Sequence, residues 1–308
     1  MSRTEPFSAP PGLFSSSLPA LQVAWDSTSM GVLKTCPRRY YYQYIEQISS
    51  PGTNVHLDFG IQYHSTLELF DHQLAAGATY EEAQFAAFDF AWAQKHLDRY
   101  QSNQKNRKTL VRTTMWYLEH YKNDPLKTYI LANGRAAVEL SFRFEHPSLE
   151  APDSPFLICG HLDKLVTISN EPYILDRKTT GAALGRFYYD QWSPSNQMDL
   201  YYVAGQVALP VAAAGIVIDA AQIGTEFSRF GRDIIHRTKG SMNEWVQDTD
   251  YWLGQATHFA EMGYWPKNTK ACYDCGFKEL CSASPSNRER LLRAQERSLW
   301  NPLKTRGE

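Results

Sequence analysis

Cysteine is scarce in this chain and unevenly spread: five in 308 residues, three of them between positions 272 and 281. An odd count bunched in this way is not the pattern of a disulfide framework. It points to a reducing, cytoplasmic setting in which clustered thiols hold metal. No apolar run approaches the roughly 20 residues that a membrane span needs, and the nearest stretch, VALPVAAAGIVIDAAQIG, is broken by Pro210 and Asp219. The opening residues lack the basic-then-apolar profile of a secretory leader, so no membrane partner is expected. Excess charge is missing too: 31 Lys and Arg face 33 Asp and Glu, a net charge of −2. Such a surface exerts no global attraction on nucleic acid, and contact with DNA would need a local basic strip. There is no internal repeat. No G-x-x-x-x-G-K-[ST] stretch occurs, which excludes a P-loop motor that unwinds duplex DNA by itself.

What is present is an ordinary folded composition, 43% hydrophobic and 21% charged, which argues against wholesale disorder. The length suits one elaborate domain or two modest ones. Residues 1–26, rich in Ser, Pro and Ala, read as a flexible arm. From Ser29, taken as an N-cap, a helical pattern runs to Cys36. Pro37 ends it and opens a second helix, RRYYYQYIEQI, whose tyrosines fall at helical spacing and are expected to pack. Residues 58–76 form a further amphipathic helix with Ile61, His64, Leu67 and Leu74 near one face. A helical insertion follows at about 78–124, carrying Arg99, Lys105, Arg107, Lys108 and Arg112, which could track phosphates or simply form a solvated face.

The period then switches. In AAVELSFRFE, apolar Val138, Leu140, Phe142 and Phe144 alternate with polar residues, the mark of a half-buried strand. PFLICGHLDKLVTI and PYILDRKTT read as two more strands joined by the turn-like SNEP, an antiparallel meander. SNQMDLYYVAGQVA returns to helix and AAGIVIDAAQI to strand. The order predicts an α/β fold around a central mixed sheet flanked by helices. The tail from 286 to 308 reads as a basic helix and loose end.

On a strand, alternate side chains share a face, so Asp176 and Lys178 project together. If the two strands are neighbours, Asp163 meets that pair. Two carboxylates and an ammonium suit a hard cation such as magnesium, which prefers oxygen ligands and sits well against a phosphate. Such an ion would activate water and neutralise charge on a scissile phosphodiester, with Lys178 as charge stabiliser. A surface ladder of Asp and Lys is the plainer explanation of the same residues. The cysteines offer a second site. Cys272, Cys275 and Cys281 are spaced C-x2-C-x5-C and lack a fourth thiol, which Cys36 can supply. Four cysteines hold a zinc ion or an iron–sulfur cluster, and spacing does not separate the two.

Taken in order, CPRRYYYQY, FGIQYHSTLE, VELSF, GHLDKLV, ILDRKTT, QMDLYY and CYDCGFKELC resemble the RecB-type branch of the PD-(D/E)XK nuclease superfamily. That branch includes the nuclease domains of RecB and of the AddAB helicase–nucleases, and the CRISPR-associated RecB-like exonucleases. The resemblance runs from about 27 to 281 and implies a nuclease domain over 27–285. It implies His64 as a metal ligand with Asp163 and Asp176, Lys178 as the catalytic lysine, and Glu139 as a less secure further metal contact. Gln197 and Tyr201 fall on a Q-x-x-x-Y motif, one helical turn apart, and are implied to contact substrate. The D-x-K motif uses Asp where many relatives have Glu. The split arrangement of cysteines favours a [4Fe-4S] clasp of Cys36, Cys272, Cys275 and Cys281 over zinc. The implied activity is a Mg²⁺- or Mn²⁺-dependent DNA exonuclease, working with a helicase or with recombination or replication proteins. The alternative is a non-cleaving iron–sulfur module of the same fold that binds DNA or a partner. Oligomeric state is not legible.

Overall fold

The computed structural model describes residues 12–49, 54–209, 211–293, 295, 297–298 and 300–303. In chain order, β1 (Ala24–Trp25) precedes α1 (Ser27–Thr35) and α2 (Pro37–Tyr40), which continues into a π-helical turn at Tyr41–Ile45. Three helices follow, α3 (Val55–Ala75), α4 (Tyr80–Ala93) and α5 (Arg107–His120), then the strands β2 (Lys127–Thr128), β3 (Val138–Ala151), β4 (Ser154–Ile168) and β5 (Glu171–Thr180). Next come α6 (Arg186–Asp190), α7 (Asn196–Val207), β6 (Ile216–Ile223) and β7 (Ser228–Ile235). The chain closes with α8 (Lys239–Met262), α9 (Lys278–Ser282) and α10 (Pro285–Arg293). The sheet is mixed, in the order β1-β4-β5-β6-β7 with β2 and β3 also pairing with β4. Among the described residues no helix is long and apolar enough to cross a membrane.

Two compact units make up the chain: one of residues 1–52, 143–160 and 243–308, the other of 53–142 and 161–242. In the second unit, β4 and β5 form a hairpin whose ladder runs from Ile168↔Glu171 to Lys164↔Leu175. Its two-residue turn has φ values of 50° at Ser169 and 68° at Asn170, the mirror-image turn whose twist matches that of paired strands. β5 and β6 are parallel, Asp176 opposite Ile218 and Lys178 opposite Ala220. A parallel pair requires a crossover connection, and α6 and α7 supply it. α7 lies so close that a Cβ on Gly205 would stand 2.9 Å from Ile174 Cδ1 and 3.1 Å from the Ala213 Cβ, so a larger residue there would push the Ile174 side chain aside. All eight residues of β6 are buried, as expected of a strand covered on both faces. β7 pairs antiparallel with β6.

Helix α3 runs from an Asn54 cap that accepts from the His56 and Leu57 N–H groups. Its buried face carries Phe59, Tyr63, Leu67 and Phe70, and these pack with Ala83, Ala87 and Ala91 of α4 and Leu110, Tyr117 and Leu118 of α5. The sequence expectation of a face through Ile61 and Leu74 is corrected here, because both are exposed, Ile61 by 48%. Ile61 lies two residues from Phe59 and Tyr63, roughly 200° around the helix from each, so the aromatic stripe turns it to solvent.

The basic cluster is mostly spent within this unit. Arg99 pairs with Asp58 and Arg107 with Asp98, and Arg112 donates to the carbonyls of Gly224, Thr225 and Phe227. Lys105 is buried, its ammonium 4.5 Å from the Phe59 ring centroid, and burial pulls its pKa down to about 8. The unfolded chain keeps that proton up to an ordinary value of about 10.4. The charge therefore destabilises the fold below the folded value, and stability recovers as pH climbs from about 8 toward the unfolded value. Lys105→Met is expected to raise the unfolding free energy by about 2–3 kcal/mol at neutral pH and by little near the unfolded value. Urea titrations at the two pH values check this, and an equal gain at both would contradict it.

In the first unit the expected loose arm is corrected over its described part; residues 1–11 lie outside the described residues. Leu13, Leu21 and Val23 are buried, and β1 adds in parallel to β4, with Ala24 opposite Leu157. The N-cap of α1 is Asp26 rather than Ser29, and Ser29 returns the bond from the N3 position of a capping box. Tyr40, Tyr42 and Tyr44 are buried, Tyr40 stacked on Trp25 with ring centroids 5.2 Å apart. The tyrosine run is packing. Trp300 of the tail lies edge-on to Tyr44 at 4.8 Å, so this part of the tail is also anchored.

Candidate active site

The backbone ladder between β4 and β5 ends at Lys164↔Leu175. One residue further on, the carboxylate of Asp163 takes over the role of a strand carbonyl: Asp163 Oδ2 accepts the Arg177 N–H at 2.7 Å. Its other oxygen lies 3.1 Å from Nδ1 of His64 on α3. Strand alternation puts Asp176 and Lys178 on one side of β5, and their charges meet at 2.7 Å. The Lys178 ammonium also donates to Gln197 Oε1 at 2.9 Å and stands 5.0 Å from the Trp192 ring centroid. Gln197 in turn donates to the Tyr201 hydroxyl at 3.0 Å. The one-turn spacing of these two on α7 makes that bond possible. Tyr201 is buried, with its ring edge-on to Phe142 at 6.3 Å.

One chain of contacts thus joins Asp176, Lys178, Gln197 and Tyr201, and another joins His64, Asp163 and the Arg177 backbone. The two are linked electrostatically. Burial raises the Asp176 carboxyl above the ordinary range; Lys178 opposes this and the charge of Asp163 adds to it. Burial works the same way on Asp163, but His64, the Arg177 N–H and Lys178 outweigh it and hold that carboxyl below the usual range. His64 is raised: burial lowers it, and the Asp163 charge and hydrogen bond more than compensate. Two carboxylates in one low-dielectric place have been driven apart, one easily ionised and one reluctant. Glu139 sits near the start of β3 with φ at 49°, a conformation that interrupts strand alternation and re-aims the side chain.

Among the described residues, no group of three or more His, Cys, Asp and Glu side chains is drawn together as a metal site. The donors nonetheless fit a divalent ion in kind, since Asp163 and Asp176 offer carboxylate oxygens and His64, beside Asp163, an imidazole nitrogen. The sequence did not identify Asp71 on α3. It is buried and bonded at 2.6 Å to both Lys164 Nζ and Arg177 Nη2, the chain neighbours of the two carboxylates. A charged residue interrupting the apolar face of LELFDHQLA was the available signal.

In the first unit, Cys36, Cys272, Cys275 and Cys281 are all free thiols. Asn268 lies between two of them: its N–H donates to Cys36 Sγ at 3.4 Å, and its carbonyl accepts from Cys272 Sγ at 3.8 Å. Cys275 and Cys281 pack against Tyr42, Ile48, Phe277 and Leu280. Burial pushes the Cys281 thiol up, against the pull of Lys267, Arg38 and Arg288. Cys159 is buried elsewhere in this unit and donates to the Trp25 carbonyl.

No curated protein matches the sequence. Among solved structures, one matching chain belongs to a protein of Eubacterium rectale described as a candidate exonuclease, with 12% identity, all of both chains covered and a TM-score of 0.47. Another is SSO0001, with 11% identity, 84% of this chain and 86% of that one covered, and a TM-score of 0.37. The family comparison is broader in meaning, because the match runs over residues 27–282 and so takes in α1, strands β2 to β7 and the cysteine-rich segment. The chain belongs to the PD-(D/E)XK nuclease superfamily.

Proposed function

We propose that this nuclease-superfamily chain is a Mg²⁺- or Mn²⁺-dependent deoxyribonuclease that acts as an exonuclease on DNA ends or single strands. The observation that carries the reading is the buried Asp176–Lys178 pair at 2.7 Å, with Asp163 close enough to alter its charge state. In this reading His64, Asp163 and Asp176 hold the divalent ion, and Glu139 is a further contact to it. When bound, the ion supplies Lewis acidity at the phosphodiester. Asp176 fixes the Lys178 ammonium, Gln197 limits its swing, and Lys178 faces the negative charge that develops on the phosphate. Tyr201 orients Gln197 through its hydroxyl, and both border the path of the substrate. With no P-loop sequence present, DNA ends or single strands would come from other enzymes. A helicase or a recombination or replication protein, as in the RecB-type branch, fits that need.

The same reading includes a [4Fe-4S] cluster on Cys36, Cys272, Cys275 and Cys281, with zinc as the alternative. Support comes from four free thiols within one unit, two of them bonded to Asn268. Lys267, Arg38 and Arg288 near Cys281 add positive charge where a cluster of four thiolates would be anionic. A bound cluster would tie α1 and α2 to the segment around α9, so that metal affinity becomes folding free energy.

The test is an assay on end-labelled single- and double-stranded DNA with Mg²⁺ or Mn²⁺, using protein purified without oxygen and analysed for iron and zinc. Progressive loss of terminal nucleotides, abolished by EDTA, is expected. Tight DNA binding with no hydrolysis under any divalent ion would overturn the nuclease reading in favour of a binding module. A colourless preparation with zinc and no iron would overturn the iron–sulfur part alone.

A further inference from the structure

Asp71 lies seven residues after His64 on α3, two turns further along and within about 20° around the axis. Its two oxygens are divided between two strands, Oδ1 bonded to Lys164 on β4 and Oδ2 to Arg177 on β5, each at 2.6 Å. Lys164 follows Asp163 in the chain, and Arg177 stands between Asp176 and Lys178. One helix therefore holds the hairpin at two heights. His64 meets the Asp163 carboxylate directly, and Asp71 clamps Lys164 and Arg177, the chain neighbours of the two carboxylates.

We propose that Asp71 is a positioning residue for the divalent-ion site: by clamping Lys164 to Arg177 it sets the separation of the Asp163 and Asp176 carboxylates. This rests on the nuclease reading above. Lys164 and Arg177 are largely buried, their side chains 11% and 4% exposed. Without the carboxylate between them, two buried cations on adjacent strands repel. The strand ends relieve that repulsion by moving apart at the point where the backbone ladder already stops. The Arg177 N–H that binds Asp163 Oδ2 would move with its own side chain.

The cavity of about 190 Å³ beside these residues does not compete for them as a ligand site. The two cations that Asp71 holds, Lys164 and Arg177, are committed to it, as Arg232 is to Asp124 and Asp219 and Lys122 to Glu81; Lys127 lines the cavity as well.

The experiment compares wild type, Asp71→Asn and Lys164→Met, measuring Mn²⁺ affinity by calorimetry, kcat and KM on a single-stranded oligonucleotide, and the thermal midpoint. In Asp71→Asn the Mn²⁺ dissociation constant is expected to rise, and kcat to fall, by about tenfold or more, with KM for DNA unchanged. Asp71→Glu should recover part of both. Lys164→Met keeps the Asp71–Arg177 pair and serves if Asp71→Asn does not fold; a threefold or larger loss of Mn²⁺ affinity is expected there. A lowered midpoint with wild-type Mn²⁺ affinity and kcat would show a merely structural residue and overturn the proposal. Wild-type protein that binds no Mn²⁺ would overturn the nuclease reading itself, and this proposal with it.

Discussion

Asp176→Asn is expected to lower metal-dependent DNA hydrolysis by about a thousandfold or more, while leaving the metal-free protein no less stable at neutral pH. The loss of activity follows from the proposed role, since the variant gives up a charged metal ligand and the partner that fixes Lys178. The stability half follows from the direction of its titration. Burial raises the Asp176 carboxyl, so the folded chain binds this proton more tightly than the unfolded chain does. The ionised form therefore costs stability above the raised value, and the cost fades as pH falls from that value to the ordinary carboxylate range. Asparagine removes that cost. Asp163 has the opposite sign: its carboxyl is lowered, chiefly by His64 acting against burial. Its stabilising contribution is complete at neutral pH and fades as pH falls through the lowered value. Asp163→Asn should therefore be as inactive as Asp176→Asn, yet lose stability at neutral pH. Parallel urea titrations in EDTA with the hydrolysis assay read both. Full activity in Asp163→Ala, Asp176→Ala and Lys178→Ala would remove the basis of the mechanism.

That contrast could not have been read from the sequence, although much of the scaffold beneath it could. The meander was legible because Val138 to Phe144 alternate and because SNEP marks a turn between two apolar runs. The spacing of Asp176 and Lys178 gave their shared face, and the Q-x-x-x-Y spacing put Gln197 and Tyr201 one turn apart on a helix. Three features resisted. β7, SRFGRDII, has a mid-strand glycine and charges at Arg229, Arg232 and Asp233, so its local pattern is weak. Its charge is explained only across the ladder, where Arg232 stands opposite Asp219. Lys105 looked like one of a solvated basic cluster, and nothing in its neighbours signals the Phe59 ring that covers it. Asp71 is hidden because a carboxylate on an apolar helix face makes sense only once Lys164 and Arg177 arrive from elsewhere in the chain. Local periodicity reports one element at a time; buried charges are settled between elements.

The second large effect belongs to that hidden β7 pairing. Arg232→Met is expected to destabilise the fold by about 3–5 kcal/mol, the range for leaving a buried charge without its partner. Asp219 has a fully buried side chain, and Arg232 Nε lies 3.2 Å from its Oδ1. The same guanidinium reaches Asp124 at 2.7 Å and the Tyr117 hydroxyl at 3.2 Å, and it lies 3.7 Å from the Tyr121 ring centroid. Methionine keeps much of the stem's packing but none of these bonds, so Asp219 is left with the Tyr117 hydroxyl as its remaining neutral donor. A buried ion pair need not itself be a net stabiliser, and the double variant separates the two effects. Asp219→Leu combined with Arg232→Met should recover most of the loss, because the fully buried charge is gone and Asp124, the other partner of Arg232, keeps access to water. The urea midpoint should fall in the single variant at an unchanged slope, as for a change in stability alone. If the double variant is as unstable as the single one, the penalty lies in lost packing around Tyr117 and Tyr121 rather than in the stranded carboxylate.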